Sequence, residues 1–255
     1  MPAIETSALT KRYGSTTAVD QLDLSVPDGT VYGFLGPNGA GKTTTMRMLT
    51  GLTTPTSGSA TVANVPVTDR DALRPHIGYL PEEPPLYEQA TAYEQLEYIA
   101  GLRDLPEQQT KERIDELLGR LDLSPDDAAT RIADYSKGMR QKVAYIQAIL
   151  HDPDVAFLDE PTSGLDPRAA RTIRELIGEL TDQGTTVFLS THILPVVEAV
   201  ADTVGILYDG RLVAEDTPSQ LTQRAETGET RTLEEAFLEI TSSDPAADDA
   251  EATHG

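Results

Sequence analysis

The sequence predicts an α/β fold, and three observations carry that prediction. A short β-branched and aromatic run, Thr30 to Leu35, leads into a glycine-rich loop and then into Thr43 to Leu49, which continues without Pro or Gly as a helix would. A second apolar strand, Val155 to Leu158, ends in two adjacent acids, Asp159 and Glu160. Between them, residues 86 to 150 change period: Tyr93, Leu96, Ile99 and Ala100 share one helical face, and so do Ile114, Leu117, Leu118 and Leu121. A mainly helical stretch is therefore inserted between strand-rich parts.

The elements follow in order. Residues 4 to 35 read as strands with tight turns, since Leu22, Leu24 and Val26 alternate with polar residues and Pro27-Asp28-Gly29 breaks the run. After the first helix, Pro55 to Gly58 turns the chain into a strand-like segment, Ser59 to Val67. Ile77 to Leu80 is a short buried strand that stops at Pro81, and Glu82 to Pro85 must be a loop. Pro167 to Leu180 is a helix with Pro in its first turn. Thr186 to Ser190, Thr203 to Tyr208 and Arg211 to Ala214 are strands, the last two joined by the turn Asp209-Gly210. Leu233 to Ile240 is a short amphipathic helix. Residues 241–255 carry four acids and no Lys or Arg, a composition that predicts disorder. No internal repeat is present, so the chain holds one such unit.

Composition narrows the function. The chain of 255 residues carries 42 acidic against 20 basic residues, a net charge of −22. That argues against nucleic acid or an anionic membrane surface as a general partner. Five of the basic residues are Lys, and an acidic, Lys-poor surface suits a high-salt interior, where screening shortens self-repulsion to about 3 Å at 1 M salt. Cysteine is absent, which excludes disulfides and thiolate metal sites. The N-terminus lacks a secretion-signal pattern, and no uncharged apolar stretch approaches the roughly 18 residues of a spanning helix. The expectation is a soluble, cytoplasmic protein.

Two constellations carry chemistry. Gly36-Pro37-Asn38-Gly39-Ala40-Gly41-Lys42-Thr43-Thr44 fits G-x-x-x-x-G-K-[ST], between a strand and a helix. Its glycines let successive N–H groups point at phosphate oxygens, and the helix start adds its positive dipole end. Lys42 then reaches the β- and γ-phosphates of a nucleotide, and the Thr43 hydroxyl ligates Mg²⁺. The pair Asp159-Glu160 sits at the carboxyl end of a strand, where the same loop opens. Asp159 suits a Mg²⁺ ligand, directly or through water, and Glu160 suits the group that orients the attacking water.

A third segment, Tyr135-Ser136-Lys137-Gly138-Met139-Arg140-Gln141, opens another helix, with Ser136 where an N-cap belongs. With these motifs in this order, the chain resembles the nucleotide-binding subunit of ATP-binding-cassette (ABC) transporters over about residues 3 to 240. The resemblance implies a P-loop NTPase (RecA-like) core, residues 1–81 and 141–215, with an N-terminal antiparallel β subdomain. It also implies an inserted α-helical subdomain, 82–140, and a C-terminal helical extension, 216–240. Residues 135–141 match the family signature, usually LSGGQ, departing at Tyr135, Lys137 and Met139. In the family two subunits pair head to tail, and Ser136, Lys137 and Gly138 would close over the ATP of a second copy or homologous subunit. The resemblance further implies that Tyr13 stacks on adenine, that His192 touches the γ-phosphate and supports the attacking water, and that Ser163 to Asp166 crosses the interface, with Asp166 structural. Glu82 stands where the family usually has Gln, a position that contacts Mg²⁺ and links the core to the helical subdomain. The forms YSKGMRQ and Glu83-Pro84-Pro85-Leu86-Tyr87 are similar to the drug- and ion-exporting branch. The implied protein is an ATPase at the cytoplasmic face of the membrane, powering export through a separate permease. The alternative is a soluble ABC-type ATPase switch without a transport role. Such proteins use tandem units or long coiled-coil arms, and neither is present. The absence of an N-K-x-D segment argues against a GTPase.

Overall fold

The strands divide into two sheets according to how their side chains alternate. The computed structural model describes residues 2–223 and 232–242. In the first sheet β1 (Pro2–Tyr13) and β2 (Thr16–Pro27) form a long antiparallel hairpin. After β3 (Val31–Leu35) and α1 (Lys42–Leu49), β4 (Ser57–Val62) pairs with β1 and β5 (Val65–Pro66), giving the order β2-β1-β4-β5. The single strand expected over Ser59 to Val67 is thus two, because Ala63 and Asn64 take φ of 49° and 62° and turn the chain back.

The second sheet holds the chemistry. The short helix α2 (Arg70–Leu73) precedes β6 (Ile77–Leu80). The helices α3 (Ala92–Leu102), α4 (Glu107–Arg120), α5 (Pro125–Ala128) and α6 (Lys137–Ile149) follow. Then come β7 (Val155–Asp159), α7 (Pro167–Asp182), β8 (Thr186–Ser190), α8 (Leu194–Val200), β9 (Thr203–Tyr208) and β10 (Arg211–Asp216). The order is β10-β9-β3-β8-β7-β6, with β6, β7, β8, β3 and β9 parallel and β10 antiparallel at the edge. Asp209 and Gly210 have φ of 45° and 78°, which makes the expected tight turn between β9 and β10. Every residue of β3, β7 and β8 is buried, as parallel strands covered on both faces should be.

Alternation along β7 shows what lies on each face. Val155 and Phe157 pack with Ile4, Leu22, Phe34, Met46 and Phe188, between this sheet and the antiparallel one. Ala156 and Leu158 pack with Leu96, Ile114, Leu117, Ile146 and Ile173, on the helical side. The inserted helices therefore share one continuous apolar cluster with the sheet. Helix starts are capped as the sequence permits: Thr91 and Glu94 form a capping box on α3, and Asp166 accepts from Arg168 N and Ala169 N at the start of α7. At the C-terminal end α9 (Pro218–Gln223) and α10 (Leu233–Ser242) cover β3 and β9 through Leu221 and Leu233. Of the stretch expected to be disordered, Thr241 and Ser242 finish α10, and residues 243–255 lie outside the described residues. Among the described residues no helix is long and apolar enough to cross a membrane.

Candidate nucleotide-binding and hydrolytic site

Because β3, β7 and β8 run parallel, their carboxyl ends reach one edge together. The loop after β3, the acids at the end of β7 and His192 just past β8 meet there around a cleft of about 390 Å³, with Ser190 and Thr191 bonded to the acids. Its walls are Ala18, Asn38, Gly39, Gly41, Lys42, Thr43, Thr44, Glu82, Asp159, Glu160 and His192.

The loop needs its glycines for two different reasons. Gly41 has φ 107° and would drive a Cβ to 2.3 Å from the Ala18 carbonyl oxygen. Gly36 lies so close to β9 that a Cβ would meet the Leu207 carbonyl oxygen at 2.4 Å. Gly36, Pro37 and Ala40 do not line the cleft; they build the turn, with Ala40 N donating to Pro37 O at 3.2 Å. Helix α1 starts without a side-chain cap, so its first N–H groups stay open to an anion. Lys42 folds back on its own loop, donating to Gly36 O at 2.7 Å and Pro37 O at 3.1 Å. Burial lowers its pKa, opposed by the charges of Glu160, Asp159 and Glu82.

The two acids are held in different ways. Asp159 is buried, and its Oδ2 accepts from Thr43 Oγ1 at 3.0 Å while its Oδ1 accepts from Ser190 Oγ. Burial raises its pKa above the ordinary carboxylate value, and the two hydroxyls oppose that rise. Glu160 is also buried and takes φ 50°, a left-handed conformation that costs on the order of 1 kcal/mol or more in a non-glycine residue. Bonds on both of its parts hold it there. Its N–H donates to Ser190 O at 2.9 Å, and its carboxylate accepts from Thr191 Oγ1 at 2.9 Å and from His192 N at 3.0 Å. His192 Nδ1 lies 2.7 Å from the same Oε1.

Most of the remaining residues singled out in the sequence lie outside this cleft. Tyr13 is 51% exposed at the end of β1, with Lys11 Nζ 5.0 Å from its ring centre. Ser136 caps α6, accepting from Met139 N at 3.2 Å, and neither it, Lys137 nor Gly138 reaches the cleft wall. Glu82 does line the cleft, yet among the described residues no group of three or more His, Cys, Asp or Glu is assembled to hold a metal ion. The sequence reading missed Ser190, Thr191 and Ala18. Their part depends on strand register, with Asp159 paired opposite Ser190, which no local pattern reports.

A phosphate-cradling loop, a lysine and a buried acidic pair on one sheet edge define a P-loop nucleoside triphosphatase. The comparisons narrow the class. The family model described as ABC transporter matches residues 19–163. The bacitracin transport ATP-binding protein BcrA of Enterococcus faecalis is 39% identical over 223 residues, 87% of this chain and 71% of that protein. The daunorubicin/doxorubicin resistance ATP-binding protein DrrA of Streptomyces peucetius is 42% identical over 221 residues, 86% of this chain and 66% of that protein. The chain spans 59% to 71% of the length of four such relatives. A solved ATP-binding subunit of an ABC transporter superposes with a TM-score of 0.87 at 32% identity, covering 94% of this chain and 99% of that one. The dimeric post-hydrolysis state of the ATP-binding cassette MJ0796, bound to ADP and Pi, superposes at 0.78 with 25% identity, covering 84% of this chain and 98% of that one. The chain belongs to the ABC transporter family, as an ATP-binding and ATP-hydrolysing subunit.

Proposed function

We propose that this subunit powers an exporter, closing head to tail with a second copy or a homologous subunit around two ATP molecules, at the cytoplasmic face of a membrane permease. One observation carries the reading most: Glu160 and the P-loop share a cleft, while the capped start of α6 lies outside it. One copy thus holds a nucleotide pocket open on one side and, elsewhere, a helix start suited to an anion. The names of the relatives, transport and resistance proteins for bacitracin and daunorubicin, support export. The dimeric state of the MJ0796 cassette supports pairing.

In this reading the loop N–H groups of Gly36 to Thr44 cradle phosphates, and Lys42 exchanges its own carbonyls for the β- and γ-phosphate oxygens. Thr43 and Asp159 suit Mg²⁺: a hydroxyl and a buried carboxylate converge, and Mg²⁺ binds through one or two carboxylates plus phosphates rather than a full protein cage. When bound, Mg²⁺ supplies positive charge against the phosphates. Glu82 faces the same space and acts on it by its charge. Glu160 accepts a hydrogen bond from the attacking water, and His192 holds that carboxylate while its exposed ring faces the γ-phosphate. Tyr13 offers an exposed ring to adenine. Ser136, Lys137 and Gly138 of the opposite copy close the pocket. Residues 1–81 and 141–215 form the core, 82–140 the helical unit that passes motion to the permease, and 216–240 the extension.

The decisive experiment is Glu160→Gln. It is expected to keep ATP affinity, lower turnover about a thousandfold and trap an ATP-bound dimer in gel filtration. Turnover near wild type would remove Glu160 from its role. The net charge of −22 supports a high-salt setting, in which the melting temperature rises by several degrees between low and molar KCl. A flat or falling curve would discard that part.

A further inference from the structure

Among the described residues, four buried side-chain atoms have no hydrogen-bond partner, and two of them are Arg113 Nε on α4 and the Tyr145 hydroxyl on α6. Tyr145 is fully buried, with its ring in the apolar cluster that holds Leu117, Ile146 and Leu176. A leucine or phenylalanine would fill such a place and bring no oxygen. An interior hydroxyl that has given up water and gained no partner weakens the fold around it. The charges that act on this hydroxyl come from Arg120, Glu179 and Arg113. None of the groups at the nucleotide cleft uses it.

The two bare groups are complementary. Arg113 Nε has one N–H to donate, and a phenol can accept one hydrogen bond and donate another. The other nitrogens of Arg113 are engaged, Nη1 with Glu116 at 3.3 Å and Nη2 with Asp152 Oδ1 at 3.1 Å. Glu179 on α7 meets Arg120 through Oε2, which leaves Oε1 for a second donor. A donor, a phenol and a carboxylate thus stand on α4, α6 and α7. They also straddle a boundary, because α4 belongs to the inserted helices while Tyr145 and Glu179 belong to the core. Three ion pairs tie α4 and the turn after it to the core: Arg113 with Asp152, Arg120 with Glu179, and Asp122 with Arg168 Nη2 at 3.1 Å. Each has a member open to solvent, and such pairs hold weakly. Helices packed through apolar side chains can slide by about 1–2 Å.

Resting on the reading that the inserted helices move against the core during turnover, we propose that Tyr145 is a positioning residue for ATP hydrolysis. When nucleotide shifts α4 along α6 and α7, the Tyr145 hydroxyl accepts from Arg113 Nε and donates to Glu179 Oε1. The shifted arrangement satisfies both atoms that the present one leaves bare. The phenol therefore favours the shifted arrangement and disfavours the other, which is a reason for an oxygen in an apolar cluster. Its proton stays on the phenol throughout.

The test is Tyr145→Phe in the full chain, which removes one oxygen. It is expected to raise the melting temperature of the nucleotide-free chain by about 2 °C and to lower kcat about fivefold at saturating MgATP. A hydroxyl with a structural role alone would move both quantities down. In a Glu179→Ala background, Tyr145→Phe should cost no further turnover. Amide exchange over α4, Glu107–Arg120, follows the motion. It should change in the wild type when MgATP is added, and change less in Tyr145→Phe. If Tyr145→Phe lowers the melting temperature, the hydroxyl is already bonded in the nucleotide-free chain and the proposal is refuted. If turnover is unchanged, or the loss persists in full beside Glu179→Ala, the shifted contact is refuted while the ATPase function stands. If exchange over α4 in the wild type does not respond to MgATP, the reading that the inserted helices move fails as well.

Discussion

The starts of α1 and α6 are built from similar parts and finished differently. Each opens with a lysine, preceded by Gly41 in one case and Ser136 in the other. Gly41 has no side chain and takes φ 107°, so the N–H groups of α1 face the cleft without a competitor. Ser136 already satisfies the N–H of Met139, worth about 1 kcal/mol to the helix. Asp159, Glu160, His192 and Thr43 gather around α1 and not around α6. The first helix start can therefore bind nucleotide within a single copy. The second is capped by its own chain and, in the proposed head-to-tail pairing, would act only against a second copy.

That contrast breaks first at its strongest point. Lys42→Ala should lower the ATP affinity of the single chain about a hundredfold, on the order of 3 kcal/mol for a charged hydrogen-bond donor. Ser136→Asp keeps a capping oxygen, so the helix should fold, but its charge repels a phosphate. It is expected to leave single-chain ATP affinity unchanged, measured with a fluorescent analogue, and to cut turnover about thirtyfold. If Ser136→Asp weakens single-chain binding as Lys42→Ala does, the two helix starts share one pocket and the contrast is false.

How much of this was legible follows from the range of each interaction. The P-loop is contiguous, and its glycines, lysine and threonine lie within nine residues, so local pattern sufficed. The acidic pair closing β7 was legible for the same reason. Ser190 and Thr191, which hold Asp159 and Glu160, come from a strand more than thirty residues away, and only pairing of β7 with β8 brings them in. The left-handed backbone of Glu160 was equally hidden, since nothing in Asp159-Glu160-Pro161 signals it. The break between β4 and β5 escaped because Ala63-Asn64 is a weak turn signal beside the usual Asn-Gly. Tyr13 and the signature residues were recognisable by resemblance, while their distance from the cleft needed coordinates.

Buried titratable groups sharpen the comparison further, because burial lowers the pKa in one region and raises it in the other. Just past the far end of α6, His151 donates from Nε2 to Ile77 O at 2.9 Å, and its Nδ1 is buried without a partner. Burial, aided by Arg103, lowers its pKa to about 4. The unfolded chain takes up a proton near pH 6.5 and the folded chain only near 4, so stability is lost as pH falls through that window. A loss of about 2 kcal/mol is expected in urea melts, after allowance for partial solvent screening. His151→Gln should flatten that slope. An unchanged slope would show that other groups set the acid limit.

Asp159 behaves in the reverse sense and gives the smallest effect. Its pKa is raised by burial, so the folded chain holds a proton that the unfolded chain has released. Its contribution is fully present below the ordinary carboxylate value and is lost as pH rises through the raised one. Above the raised value the nucleotide-free chain therefore carries a buried carboxylate at a cost. Asp159→Asn removes the charge and keeps both bonds, with the amide oxygen accepting from Ser190 and the amide nitrogen donating to Thr43. It is expected to raise the melting temperature of the nucleotide-free chain by about 2–4 °C, equivalent to about 1 kcal/mol in a chain of this size, while abolishing hydrolysis. The gain should shrink as the pH is lowered toward 4. A melting temperature that falls instead would mean that the carboxylate stabilises the empty cleft, and that α1's pocket is not held in strain for its ligand.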